Sequence, residues 1–207
     1  MSFAVAVDGP AAAGKGTIAQ AIAEHFDFQY LDTGLLYRAV GLAHLHGFKN
    51  LQKVAQKLDQ QSLMHPMLRT PAVSKAASEV AKIAEVRAAL VNFQREFIKR
   101  SKGAVLDGRD ISTVICPNAD VKLYVFANQK IRAKRRQMEL KNRGISVDLK
   151  KVQNDLRMRD DVDMKRVEAP LQIASDSIRL DTSTLSVKAA NQQAIEIVNQ
   201  KLNTKSI

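Results

Sequence analysis

The chain has no tryptophan, and aromatic residues fill only 5% of its 207 positions. Platforms on which single-stranded bases could stack are therefore in short supply. A lone cysteine, Cys116, excludes an internal disulfide, fits a reducing compartment, and reads as a small apolar filler before Pro117. Histidines are few and scattered. His44 and His46 stand two apart on an expected helix and do not share a face, and neither they nor His25 and His65 form a metal-ligand pattern. No apolar run is long enough to span a bilayer. The N-terminal MSFAVAV has neither the basic lead nor the apolar length of a secretory signal. These absences predict a cytoplasmic protein with no membrane partner.

Acidic residues are also under-supplied, 21 against 32 Lys and Arg, for a net charge of +11. The excess is local: between Lys130 and Arg166, thirteen basic residues face six acidic ones. Such a patch suits nucleic acid or the phosphates of a small nucleotide, and the shortage of aromatics favours the nucleotide. What remains is ordinary. At 45% hydrophobic and 26% charged, the sequence suits one well-cored globular domain, and with no interface stripe in view a monomer is expected.

Short apolar runs alternate with helical periodicity. Phe3–Val7, Phe28–Leu31, Ala104–Leu106, Val121–Phe126 and Ile178–Leu180 read as five strands. Helices are predicted from Gly14, from Thr33 to about Leu45, over Asn50–Gln60, over Ala72–Arg100 in one or two pieces, over Gln129–Asn142 and over Asp148–Met158. A final amphipathic helix, capped by Ser186, places Val187, Ala190, Ala194, Val198 and Leu202 on one face. The alternation predicts an α/β fold with a five-stranded parallel sheet between helices, joined by right-handed crossovers.

The first strand runs straight into VDGPAAAGKGT, residues 7–17. Strand, Gly9-x4-Gly14-Lys15 and helix in that order form a P-loop: amide groups and the positive end of the helix cradle a polyphosphate, and Lys15 meets its outer phosphates. Gly9, Pro10, Ala11, Ala12, Ala13, Gly14, Lys15, Gly16 and Thr17 are accordingly the expected ATP-binding residues. The usual hydroxyl after the lysine is missing, since Gly16 stands there and Thr17 carries a hydroxyl one place later. Thr17, with Asp107 at the end of the third strand, is the expected holder of Mg²⁺, partly through water.

Five further blocks narrow the reading: Tyr30-Leu31-Asp32-Thr33-Gly34-Leu35-Leu36-Tyr37-Arg38; Ala76-Ala77-Ser78-Glu79-Val80-Ala81 with Val86-Arg87; Asp107-Gly108-Arg109-Asp110-Ile111-Ser112-Thr113-Val114; Arg132-Ala133 with Arg135-Arg136; and Arg159-Asp160-Asp161-x-Asp163-x-x-Arg166 before Ala169-Pro170-Leu171. In this order, and over nearly the whole chain, they resemble the bacterial cytidylate kinases of the nucleoside monophosphate kinase superfamily. The resemblance implies a P-loop NTPase-type three-layer fold and transfer of the terminal phosphoryl group of ATP to CMP or dCMP with Mg²⁺. It also implies specific jobs. Ser78, Arg87 and Asp110 would read the cytosine edge, Arg38 and Arg109 would hold the acceptor phosphate, and Arg159 and Asp163 would reach its ribose and phosphate. Thr33 and Tyr37 would line the same site, and Arg166 would join a closed lid. Lys15, Arg109, Arg135, Arg136 and Arg157 would neutralise charge on the group in flight.

The expected layout is a core of 1–38, 101–130 and 172–207, acceptor-binding helices in 39–100 and a lid in 131–171. The Asp160, Asp161, Asp163 cluster reads as a charged hinge of that lid. Two departures stand out. Only eighteen residues separate Asn50 from Arg69, too few for the antiparallel sheet that many relatives carry there, and Ser112 occupies a place that is usually glycine, implying a slightly altered turn. Two alternatives stay open: a P-loop kinase for another acceptor, such as UMP or a small metabolite, and a basic nucleotide-dependent RNA-binding protein.

Overall fold

A computed structural model describes residues 2–205 of the chain. Strand β1 (Phe3–Asp8) is buried along its whole length, as expected of a central strand covered on both faces. Alternation sends its side chains into two cores. Phe3, Val5 and Val7 pack with helix α1 (Lys15–Phe26) and helix α8 (Val187–Lys205), whereas Ala6 belongs to a second core shared with α2 (Thr33–Leu45) and α5 (Ala84–Arg100). The result is the expected three-layer α/β arrangement.

The remaining strands are β2 (Gln29–Asp32), β3 (Gly103–Gly108), β4 (Val121–Phe126) and β5 (Ile178–Asp181). All pair in parallel, in the order β2-β3-β1-β4-β5. Winding changes direction at β1, so a crevice opens there at the carboxyl ends of the strands. The phosphate loop after β1, Thr33 after β2, the Asp107–Asp110 block around the end of β3 and Thr182 after β5 all reach that edge.

The helices differ from expectation in two places, and the expected helical span 72–100 forms in two pieces. The third, α3 (Leu51–Gln56), is short, and the Asn50 side chain caps it by accepting from the Lys53 amide at 2.9 Å. Two 3-10 turns, Gln61–Met64 and Pro66–Arg69, fill the rest of that segment, and no strand forms in it. Residues 72–100 divide into α4 (Pro71–Val80) and α5. Pro71 opens α4 with Thr70 as its cap, because a proline at the first helical position gives up no hydrogen bond.

The second difference is a correction. The stretch expected as a charged hinge is helical: residues 159–165 form the last two turns of α7 (Leu149–Lys165), which runs on past Met158, with Arg166 at its C-cap. Its inward positions there are Asp160 and Asp163, both paired with arginines, so the apolar period that marks a buried helix face is missing. Helices α6 (Gln129–Asn142) and α7 share a small core of Ala133, Leu140, Val152 and Leu156, and Ala11 of the phosphate loop packs into it.

Candidate active site

The loop leaves β1 by crossing β4 closely. A Cβ on Gly9 would lie 1.9 Å from the Val125 carbonyl oxygen, so the path requires glycine. Gly14, at φ 97°, sets the left-handed turn into α1, and Ala12 is left-handed too. Such positions fold a loop into an amide-lined concavity. Lys15 is buried beneath it and its Nζ donates to the Pro10 carbonyl at 2.9 Å. Burial, and then the charge of Arg109, pull the Lys15 ammonium well below its ordinary pKa.

Asp107 faces Lys15 from β3. Burial raises its carboxyl, and Asp32, paired in register on β2, adds like-charge repulsion. Tyr30 Oη donates to Asp107 Oδ1 at 2.9 Å, and Thr33 Oγ1 donates to the Asp107 carbonyl at 2.8 Å. Asp107 Oδ2 and the exposed Thr17 hydroxyl are hard oxygen donors on the same cavity wall. Among the described residues no group of three or more acidic, histidine or cysteine side chains forms a metal cage. The donor set therefore fits magnesium, which keeps its waters and needs only one or two protein oxygens beside phosphate.

A continuous cavity of about 600 Å³ runs from this loop to a cluster of arginines. Arg109 Nε donates to Asp163 Oδ2 at 2.8 Å. Burial opposes the charge of both groups, but the pairing wins: Arg109 is raised, and Asp163 is lowered by Arg109 and Arg159. Arg159 donates to Ser74 Oγ at 3.1 Å, and Arg38 donates to the Leu68 carbonyl at 2.8 Å. Burial pulls Arg38 and Arg159 down to about 10, with neighbouring arginines adding to the effect. Cations crowded together with too few carboxylates make a site for an anion.

Ser78 lines the same wall and donates to the Ser74 carbonyl at 3.3 Å. Asp110 ion-pairs with Arg87 and has Arg166 at 3.6 Å, beyond hydrogen-bond reach. The Tyr37 hydroxyl is buried without a hydrogen-bond partner, and burial raises its pKa to about 12.

From α6 come Arg135 and Arg136. Arg135 is anchored on Thr182, donating to its Oγ1 at 2.9 Å and its carbonyl at 2.6 Å, while Arg136 pairs with Glu139 at 2.7 Å. The α6–α7 region touches the 66–74 segment: besides the Arg159–Ser74 bond, Arg143 Nη1 donates to the Arg69 carbonyl at 3.0 Å.

Most of the predicted residues thus share one cavity. Ala11 to Thr17 line one end, Asp107, Arg135 and Arg136 the middle, and Thr33, Tyr37, Arg38, Ser78, Arg109, Asp110, Arg159, Asp163 and Arg166 the other. Gly9 and Pro10, at the start of the loop, do not line the cavity. Arg87 lies behind Asp110, its guanidinium 5.6 Å from the Tyr37 ring. Arg157 requires a correction. Helix α7 buries Val152, Leu156, Asp160 and Asp163 on one face, which leaves Arg157 exposed on another and outside the cavity.

A profile of the cytidylate kinase family matches residues 5–200. The chain belongs to the cytidylate kinase family. The cytidylate kinase of Cereibacter sphaeroides strain KD131 is 52% identical over 198 residues, covering 96% of each chain. That of Afipia carboxidovorans is 46% identical over 207 residues, covering 97% of this chain and 99% of its own. Solved structures are similar in fold only. An uncharacterised protein from Eubacterium ventriosum has a TM-score of 0.61 at 15% identity, with 97% of this chain and 99% of that one covered. A gluconokinase from Sinorhizobium meliloti has a TM-score of 0.51 at 11% identity, with 98% and 95% covered.

In this cytidylate kinase family member several residues carry more of the site than the sequence suggested. Asp8, buried at the end of β1, accepts from the amides of Ile111 at 2.9 Å and Ser112 at 2.8 Å, and from the Ser112 hydroxyl. It thereby pins the π-helical turn Ile111–Ile115 that follows Arg109 and Asp110. Ser112 is not a neutral stand-in for glycine: its hydroxyl is one of these bonds. Arg132 is buried between Asp160, at 2.7 Å, and the carbonyls of Ala127 and Ala11. The signal for Asp8 was available, an acid closing an otherwise apolar strand. Arg132 stood in one of the blocks that carry the resemblance, but nothing local marked it as a buried partner of Asp160.

Proposed function

We propose that the protein transfers the terminal phosphoryl group of ATP to CMP or dCMP. The observation that carries this reading is the single cavity with a polyphosphate loop at one end and Arg38, Arg109 and Arg159 at the other. Its volume of about 600 Å³ suits two nucleotides partly enclosed. The family match supplies the acceptor class. Asp110 and Ser78, polar and set into the wall, suit the amino and carbonyl edge of cytosine. A pocket that hydrogen-bonds its ligand rejects analogues that leave those groups unpaired.

The chemistry needs no general base. A phosphate monoester has its second pKa near about 6, so the attacking oxygen is already ionised at neutral pH. The difficulty is to hold two polyanions in line, a matter of positioning and charge compensation. ATP phosphates entering the loop give Lys15 an acceptor better than the Pro10 carbonyl. Arg38, Arg109 and Arg159 receive the CMP phosphate, with Asp163 fixing the Arg109 fork. Arg135 and Arg136 approach from α6 as charge develops on the group in flight. Asp107 and Thr17 would hold magnesium, which would supply further charge compensation to the phosphates. The contacts from α6 and α7 to Ser74 and Arg69 cover the site and exclude water, the competing acceptor.

The assay is ADP release with ATP and each nucleoside monophosphate in turn. Acceleration by CMP and dCMP is expected. Stimulation by UMP or AMP alone would overturn the acceptor assignment.

A further inference from the structure

Gly16 leaves the position after Lys15 without a side-chain hydroxyl, yet the Tyr30 hydroxyl stands next to it. A Cβ at residue 16 would lie 3.5 Å from Tyr30 Oη and 3.8 Å from Asp107 Oδ2, both at ordinary contact distance. The phenol group thus ends where a serine or threonine side chain on the loop would project. It comes from β2, two strands away from the loop in sheet order. Tyr30 Oη donates to Asp107 Oδ1 at 2.9 Å and Thr33 Oγ1 donates to the Asp107 carbonyl, so the residue is held at two points. Oδ2 is left toward Gly16, and no hydrogen bond reaches it among the described residues.

We propose that Tyr30 is a positioning residue for the magnesium that accompanies ATP: it supplies from β2 the hydroxyl that position 16 lacks, and locks Asp107 with Oδ2 presented to the cation or its water. The inference rests on the kinase reading above. A carboxylate held at one oxygen offers the other in a single direction, whereas an unheld one rotates about Cβ–Cγ. Outer partners of this kind are worth about 10- to 100-fold in metal affinity. The side chain at 16 is absent because the space in front of it is in use. The backbone there lies outside the left-handed region, so a serine could be placed once the phenol oxygen is removed.

The test uses the full chain and Mn²⁺ as the probe, with free Mn²⁺ read by electron paramagnetic resonance in the presence of ATP and no acceptor. Tyr30→Phe is expected to weaken Mn²⁺ binding about tenfold or more, with metal-free ATP bound as in the parent. Gly16→Ser added to Tyr30→Phe is expected to recover most of that loss. Tyr30→Leu gives the same readout should the phenylalanine variant fold poorly. Unchanged Mn²⁺ affinity in Tyr30→Phe, or no recovery in the double variant, would overturn the proposal. Normal CMP phosphorylation by the parent alongside either result would leave the kinase reading intact. A parent that ignores CMP, with Mn²⁺ binding still weakened by Tyr30→Phe, would remove the acceptor assignment and keep the role of Tyr30.

Discussion

Arg109 and Asp163 meet in the arginine-rich part of the cavity, Nε to Oδ2 at 2.8 Å, one from the end of β3 and the other from the last turns of α7. The pair joins a residue at the sheet's edge with one carried by α7. Replacing Asp163 by Asn keeps the shape and removes the charge. KM for CMP should rise and kcat should fall by about 10- to 100-fold, with KM for ATP little changed. Steady-state kinetics with each substrate varied checks the split.

The same residue gives a pH dependence. Its folded pKa lies below the ordinary carboxylate value because of Arg109 and Arg159, burial notwithstanding. Its contribution to stability is therefore fully present above the unfolded pKa and is lost as pH falls through the lower folded value. The stability gap between parent and Asp163→Asn should be constant near neutrality and narrow below about pH 4. Urea unfolding across that range reads it directly.

Arg109→Ala should spare ATP binding while lowering transfer to CMP by about 10²- to 10³-fold. Lys15→Ala should lower transfer without unfolding the domain, since its ammonium bonds only a loop carbonyl in this state. Calorimetric titration with ATP, beside single-turnover rates, separates the two. A cooperative unfolding signal lost in Lys15→Ala would reassign that residue to structure.

Arg132 and Asp160 are both buried and meet at 2.7 Å. Removing one partner strands the other, at a cost of about 3–5 kcal/mol. Arg132→Met should therefore be strongly destabilising, and Arg132→Met with Asp160→Leu should recover part of the loss. Because Arg132 also holds the Ala11 carbonyl, the single variant should raise KM for ATP as well. Thermal melts and ATP titrations carry the comparison.

Ser112→Gly deletes a hydroxyl that donates to Asp8. A loss of about 1–3 kcal/mol is expected, with turnover on CMP more affected than ATP binding because the pinned turn carries Arg109 and Asp110. A melting temperature equal to the parent's would deny Ser112 that role.

Much of the fold was legible because parallel strands buried on both faces are short apolar runs, and β1, β3 and β4 are such runs. The phosphate loop was legible for a different reason, since its glycines answer to backbone geometry that no other residue meets. Where burial is achieved by ion pairs the sequence is silent. The end of α7 looked like a solvated hinge because its inward positions are Asp160 and Asp163, and Arg157 could not be phased against Arg159 without that helix. The π-helical turn after Asp110 is likewise fixed by a remote acid, Asp8, and no local pattern marks it.

The packing of Ala11 among Ala133, Leu140, Val152 and Leu156 has a consequence for anyone building chimeras of such enzymes. The α6–α7 pair and the phosphate loop share one small core, so they are not separable modules. Transplanting residues 131–165 from another family member would have to carry the residue at position 11 along with it.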